Sequence, residues 1–143
     1  MKIEKMTSMP PETAPPKVVY FPRGIPGFET YTKFRVFHKH ENELKAYWLE
    51  STDEPQVTFT MLDPTDLDIA YALELSDEEQ ELLQVQSAES CGVFILLSKK
   101  SDDLAKPRFD ANIGGPLVIN LENRIGIQKV ISRSQYTDSI AIN

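Results

Sequence analysis

The sequence predicts a mainly β fold, a small antiparallel or mixed β-barrel or sandwich of about seven to eight short strands with one or two short helices. Short runs rich in β-branched and aromatic residues recur along the chain, and Pro, Gly and charged residues separate them. Helical periodicity is confined to one segment, so nothing indicates the strand–helix alternation of a doubly wound sheet. The length of 143 residues fits one domain, 1–143, with a single core.

The expected strands differ in how they bury their side chains. Residues 57–62 (VTFTML) alternate between two faces, as in a strand with one face in the core. Residues 92–97 (GVFILL) are apolar throughout, which is typical of a strand buried on both faces. The remaining early strands are VVYF (18–21), FRVF (34–37) and AYWLES (46–51).

One helix and two strand pairings complete the predicted elements. In SDEEQELLQV, Ser76 is placed to cap the helix, and Glu79 three residues later completes a capping box. The linker LENR joins 116–120 to 125–131 and is short enough for a hairpin. The first residues, MKIEKM, are expected to pair back onto 17–21 across a proline-rich connection.

Charge is distributed unevenly along the chain. The net charge is −7, but residues 1–40 hold seven bases against three acids, residues 41–90 hold one base against fourteen acids, and residues 91–143 hold seven against five. The middle segment, at −13, repels phosphate, so direct nucleic-acid binding is disfavoured. Two interpretations stay open: attraction of a basic protein, and a solvated face that keeps the protein in solution.

The remaining composition predicts a cytoplasmic protein. No apolar run approaches the roughly 18 residues that a membrane span needs, so no membrane association is expected. The first residues lack the apolar region of a secretory signal. Cys91 is the only cysteine, and it has no partner for an internal disulfide.

Each candidate for catalysis or metal binding has a simpler structural interpretation. His38 and His40 point to one side of a strand, but no third ligand has suitable local spacing. DPTDLD (63–68) lacks the glycine and distal glutamate of a calcium loop and is better interpreted as a turn that ends a strand. Cys91 is expected to pack as a small apolar side chain, and the glycines of 112–116 to permit a tight turn. The sequence therefore predicts no catalytic residue, metal or cofactor.

What remains is a constrained surface segment, FPRGIPGFE, which we name the Pro-Gly segment (Phe21 to Glu29). In a type II turn Pro26 would preset φ at the second position, and Gly27 would supply the positive φ of the third. Such a turn holds Ile25 and Phe28 in fixed directions at little entropic cost. Phe28 either plugs one end of the barrel or stands on a rigid rim suited to docking.

These segments together resemble the flagellar assembly factor FliW family, over Met1 to about Tyr136. The Pro-Gly segment matches the family almost residue for residue, although Glu50 and Gly115 stand where the family usually has glutamine and alanine. The further matching stretches are WLES (48–51), TFTMLDP (58–64), NIGGPLVIN (112–120) and RIGIQKVI (124–131) followed by Tyr136.

The resemblance implies a small β-barrel without enzyme activity or cofactor, and we expect a monomer when it is free. It implies two protein partners in the cytoplasm: the RNA-binding translational regulator CsrA, and flagellin. Members of the family bind CsrA and relieve its repression of flagellin messenger RNA, while newly made flagellin competes for the same factor. A −13 segment suits approach to a protein that presents basic residues to RNA.

Two sets of contact residues follow as hypotheses. The CsrA contacts are assigned to acids of the middle segment, and the flagellin contacts to apolar residues of the barrel surface. The acids are Asp53, Glu54, Glu74, Glu78 and Glu81, and the apolar residues are Ile25, Phe28 and Tyr136. The main alternative is a small-ligand-binding β-barrel with its mouth ringed by 22–29 and 112–116. A hydrolase using Cys91 or His38 ranks last.

Overall fold

In a computed structural model of the chain, the described residues are 2–3, 17–25, 27–41, 44–54, 56–99, 109–132 and 136–138. Most of them lie in strands. The strands are β1 (Lys2–Ile3), β2 (Lys17–Tyr20), β3 (Lys33–Glu41), β4 (Leu44–Ser51), β5 (Thr58–Leu62), β6 (Ile69–Tyr71), β7 (Leu73–Glu74), β8 (Cys91–Lys99), β9 (Phe109–Ala111), β10 (Leu117–Asn120), β11 (Ile125–Gln128) and β12 (Tyr136–Asp138). The helix α1 spans Asp77–Leu83, and 3₁₀ helices span Pro64–Leu67 and Ala88–Ser90.

Seven strands close into a mixed barrel in the order β10, β11, β2, β3, β4, β5 and β8, with β8 pairing back onto β10. Neighbours are antiparallel except β11 and β2, which run parallel with Ile125 opposite Tyr20. The predicted hairpin is present, since 121–124 turns β10 back onto β11. The predicted fold class is confirmed, and of the two architectures it is the barrel that forms.

Large apolar side chains fill the barrel interior where the structure describes it. They come from alternate positions of the strands, as the period of two requires. Phe34 of β3, Leu49 of β4 and Met61 of β5 are each fully buried. Phe94 of β8 and Leu117 of β10 complete this cluster from the other wall. The alternation predicted for 57–62 is therefore confirmed.

A second apolar layer covers the outer face of β8 and β10. Val93 and Ile95 of β8 point outward and pack against residues of 69–83, which include Leu73 and Leu83. Because its inner residues face the barrel and its outer residues face this layer, β8 is buried on both sides. The uninterrupted apolar run that predicted such a strand is thereby explained.

The N-terminal prediction is wrong. Lys2–Ile3 forms β1, which pairs antiparallel with β7, so that Lys2 stands opposite Glu74. Strand β2 has neighbours on both edges already, β3 on one side and β11 on the other. A strand has only two hydrogen-bonding edges, so no edge of β2 between these neighbours was left for the first residues.

Helix α1 begins with the predicted capping box. The Ser76 Oγ accepts the Glu79 backbone N–H at 3.1 Å, and the Glu79 carboxylate accepts the Ser76 N–H at 2.8 Å. At the other end Gln84 is left-handed, with φ of 55°. The buried side chain of Asn120 donates to the Leu83 carbonyl at 2.8 Å, so the end of α1 is fixed to the last residue of β10.

Candidate functional site

Three connections meet at one end of the barrel, and we name them the rim: residues 21–32, 52–57 and 112–116. Strands β2 and β4 end there, and β3, β5 and β10 begin there. The Thr52 N–H donates to the Lys33 carbonyl at 3.0 Å, which ties the second connection to the first residue of β3, directly after the first connection. The rim therefore contains the Pro-Gly segment and two of the predicted acidic contacts.

The Pro-Gly segment is a run of tight turns. The Gly24 N–H donates to the Phe21 carbonyl at 2.8 Å, and the Phe28 N–H donates to the Ile25 carbonyl at 2.7 Å. Gly27, the third residue of the second turn, has φ of +89°, as the type II prediction requires. Pro26, on which that prediction also rests, lies outside the described residues.

Position 24 requires glycine for two reasons: the backbone has a positive φ, and there is no room for a Cβ atom. Its φ is +67°, and a Cβ there would stand 2.5 Å from the Cα of Glu29. The chain thus crosses itself closely at the base of the segment. The Glu29 carboxylate accepts the Gly27 N–H at 3.1 Å, and hydrogen bonds from the backbone of Gly27 and Glu29 lower its pKa.

The two apolar candidates of this segment have different positions. Ile25 is 2% exposed and belongs to the barrel core, so it fixes the segment from beneath. Phe28 is 41% exposed, and its ring meets the ring of Phe59 edge-on with centroids 5.1 Å apart. Phe28 therefore packs on the barrel end and presents surface to solvent at the same time.

Asp53 and Glu54 lie in the connection between β4 and β5. Both backbone N–H groups donate to the Ser51 Oγ, at 3.2 and 3.1 Å, and Ser51 is fully buried. Because one buried hydroxyl holds the backbone of both residues, the turn is fixed while the Asp53 side chain is exposed. Neither acid forms an ion pair within the described part of the chain.

Glu78 and Glu81 lie on α1, which the structure brings next to the rim. The Glu78 Oε1 accepts from the Arg23 guanidinium at 2.8 Å, so α1 is linked to the Pro-Gly segment. Glu81 is exposed and has no ion pair among the described residues. Sequence reasoning had no local signal for the Arg23 contact, since the partners are 55 residues apart.

The other two predicted contacts lie on the short strands β7 and β12. Glu74 is exposed on β7, opposite Lys2 in the backbone register. Tyr136 stands opposite Tyr71 in the β12–β6 pair, and its side chain is outside the described part. The Tyr71 hydroxyl donates to the Ile113 carbonyl at 2.7 Å, which connects this pair to the third rim connection.

One ion pair that sequence reasoning missed holds α1 to the barrel. The Lys129 Nζ lies 2.7 Å from Oε1 and 3.0 Å from Oε2 of Glu79, and both side chains are only 14% exposed. Burial raises the pKa of Glu79, but the Lys129 hydrogen bond and charge and the Ser76 donors outweigh it, so the pKa lies below its ordinary value. The same carboxylate therefore caps α1 and anchors it.

The residues considered for chemistry have structural roles. Cys91 is fully buried, and burial raises the pKa of its thiol to about 11, the opposite of what a nucleophile needs. The His38 ring stacks on Tyr47 with centroids 4.8 Å apart. Asp63 caps the 3₁₀ helix at Pro64–Leu67 by accepting the Thr65 N–H at 2.9 Å, so the predicted turn after β5 is confirmed.

The described residues lack both a metal-binding cluster and a membrane-spanning helix. They contain no group of three or more His, Cys, Asp and Glu side chains arranged to hold a metal ion. In the same residues no helix is long and apolar enough to cross a membrane. Side chains fill the barrel interior where it is described.

Fold and rim together define a class, the small closed β-barrel whose candidate residues lie on its rim and on the helix and short strands beside it. Residues 2–141 match the model of the FliW protein family, so the chain belongs to the FliW family. It is 41% identical to the flagellar assembly factor FliW 1 of Desulfotalea psychrophila, over 94% of this chain and 98% of that protein.

Two further comparisons agree. The flagellar assembly factor FliW of an Azoarcus species is 37% identical, over 93% of this chain and 92% of that protein. A crystal structure of the flagellar assembly factor FliW superposes with a TM-score of 0.65 at 26% identity, covering 85% of this chain and 82% of that one. The family resemblance stated from the sequence is thereby confirmed.

Proposed function

We propose that this chain is a flagellar assembly factor that acts in the cytoplasm by binding two proteins, the translational regulator CsrA and flagellin. The observation that carries the proposal is the match to the FliW family across 2–141, together with relatives named flagellar assembly factors. The chain works by contact and not by catalysis. In support, its one thiol is buried with a raised pKa.

The acidic residues supply the attraction for CsrA. Asp53 and Glu54 stand on the rim, and Glu78 and Glu81 stand on the helix that Arg23 joins to it. Of these four acids, only Glu78 is neutralised by an ion pair within the described chain. A protein that presents basic residues to RNA is drawn to such a surface, and its encounter rate rises with the field.

The chain inhibits CsrA by binding beside its RNA surface. Once the chain is bound there, its uncompensated carboxylates repel RNA phosphates because both are negatively charged. Salt screens this repulsion. Direct covering of the RNA surface is the competing mechanism. The two differ in one observable when enough of the chain is present to keep CsrA saturated. Under repulsion from the side, RNA binding to the complex recovers as salt is added, whereas direct covering excludes RNA at every salt concentration.

Flagellin contacts the apolar part of the same end. Phe28 offers the exposed half of its ring there, and the buried Ile25 holds the turn that carries it. Tyr136 is assigned to the same contact. An amphipathic helix lays an apolar face into a hydrophobic groove, and the ends of flagellin have this character.

The test is a titration of the purified chain with purified CsrA and with flagellin. Replacing Asp53, Glu54 and Glu81 by lysine should weaken CsrA binding by about 2 kcal/mol, roughly thirtyfold, since each reversed surface charge contributes about 0.7 kcal/mol. The salt dependence of binding should flatten as well. Glu78 is left unchanged, because its reversal would also break the Arg23 pair.

A control reverses Glu89, an exposed acid at the opposite barrel end, and should cost much less per charge. Unchanged CsrA affinity in the triple variant would show that the acids do not carry the contact. Capture of neither protein by the wild-type chain would refute the proposal. A stabilisation by metabolites in a thermal-shift screen, without binding of either protein, would favour the ligand-barrel alternative.

A further inference from the structure

An open groove of about 430 Å³ lies between α1 and the barrel wall. Its apolar lining comes from Tyr20 of β2, Pro22 of the Pro-Gly segment, Leu82 of α1 and Ile125 of β11. Tyr20 is 43% exposed, and Leu82 and Ile125 are half-buried. The groove therefore keeps partly exposed apolar surface that no element of the described chain covers.

The charges around the groove are mostly negative. Glu78 and Glu81 are three residues apart on α1, so their side chains lie on one face of the helix, and both line the groove. Gln84 ends the helix at the same place, and a helix carries partial negative charge at its C-terminal end. Among the described residues of the lining, Arg23 is the one base, and Glu78 pairs with it.

We propose that this groove docks a segment of a partner protein in which a bulky apolar side chain stands next to a lysine or arginine. The apolar side chain packs on Tyr20 and Leu82, and the basic group meets Glu81. The groove is largely open to solvent, whereas small-molecule sites bury most of their ligand, so a pair of side chains on a polypeptide fits it better. The inference rests on the proposed function in taking a protein as the occupant.

The Arg23–Glu78 pair gives the groove a second acidic position. Its side chains are 51% and 81% exposed, and exposed pairs of this kind contribute about 0–1 kcal/mol. A basic residue of the partner can therefore replace Arg23 on Glu78 at small cost. Removing Arg23 frees Glu78 in advance, so Arg23→Ala should tighten the binding of a basic segment.

The first test uses defined peptides and does not depend on the partners. The isotope-labelled chain is titrated with acetyl-Leu-Lys-Leu amide and, as the matched probe, acetyl-Leu-Glu-Leu amide. The lysine peptide should shift the amide resonances of Tyr20, Leu82 and Gln84, and Arg23→Ala should strengthen the effect. Absent shifts, or equal shifts with the two peptides, overturn the inference.

The second test uses purified CsrA and flagellin. Glu81→Gln and Tyr20→Ala should each weaken at least one of them by about tenfold. The controls are Glu89→Gln, which removes a charge elsewhere, and Val18→Ala, since Val18 is 41% exposed on the same strand but outside the groove. If the partners bind the wild type and neither groove variant weakens them, the groove inference is wrong and the proposed function stands. If the lysine peptide binds and neither protein does, the proposed function is wrong and the groove stands.

Discussion

Replacing Gly24 by alanine should destabilise the chain far more than the same change at Gly27. Both glycines have positive φ, +67° and +89°, so both substitutions incur the left-handed cost of about 1–2 kcal/mol. Only at Gly24 would the new Cβ meet backbone, at 2.5 Å from the Cα of Glu29, whereas nothing lies within 4 Å at Gly27. Relieving that contact requires a backbone shift, which adds about 1–3 kcal/mol.

The difference between the two variants is therefore about 2 kcal/mol. At a urea m-value of about 2 kcal/mol/M this lowers the unfolding midpoint of Gly24→Ala by about 1 M relative to Gly27→Ala. Equilibrium unfolding followed by circular dichroism measures it, and the two variants share composition and unfolded-state entropy. Equal midpoints would show that the chain does not cross itself closely at Glu29 and that the segment is less constrained than described.

Two further predictions concern the second layer. Glu79→Gln keeps a capping side chain but loses the Lys129 ion pair, and it should lower the free energy of unfolding by about 1 kcal/mol at neutral pH. Because the pKa of Glu79 is lowered in the folded chain, this stabilisation is present above pH 4.5 and is lost as the pH falls through the folded pKa. Urea unfolding should therefore show a difference between wild type and variant that shrinks in acid, and a constant difference would contradict the assignment. Cys91 should resist alkylation by iodoacetamide in the native chain and react in urea, because its thiol is fully buried and has a pKa of about 11. Mass spectrometry measures the alkylation, and rapid modification of the native chain would contradict the burial.

The sequence was informative where the signal is local. The alternation of 57–62 and the continuous apolar run of 92–97 each report how one strand meets its surroundings. Ser76 and Glu79 interact across three residues, so their spacing specified the helix start. The left-handed conformation of Gly27 was predictable because few other residues tolerate it.

The sequence did not predict contacts between residues that are far apart along the chain. The strands β6, β7 and β12 are two or three residues long, too short to show a period. Strand β1 was assigned to the wrong neighbour, because pairing depends on which edges are already occupied and not on the strand itself. The ion pairs of Glu78 and Glu79 reach 55 and 50 residues along the chain. Residues this far apart meet only because of the order of all the strands in the barrel, which no single segment of the sequence specifies.

Gly115 and Glu50, the two residues that depart from the expected family pattern, each lie close to other side chains of the barrel. At Gly115 an added Cβ would stand 2.8 Å from the Gln128 Nε2 and 2.9 Å from the Asn112 Nδ2, so an alanine would require both side chains to move. Gln128 donates to the Gly115 carbonyl at 2.9 Å, and the glycine permits this approach. Glu50 lies 3.6 Å from Arg35 across the β3–β4 pair, a contact that a glutamine would make without charge.

The acid block contributes in part to folding, a role that neither interpretation of its composition included. On α1 the Glu79 carboxylate pairs with Lys129, and both side chains are only 14% exposed, so this charge is part of the fold. Glu78 pairs with Arg23, but its side chain is 81% exposed. Asp77 and Glu81 of the same helix are exposed and have no ion pair among the described residues. Folding thus uses the mostly buried charge of Glu79 and leaves the other three carboxylates of α1 exposed. Asp77 and Glu81 do not destabilise the fold because water solvates their charges. A basic partner could therefore pair with these two residues of α1 without breaking a contact that stabilises the chain.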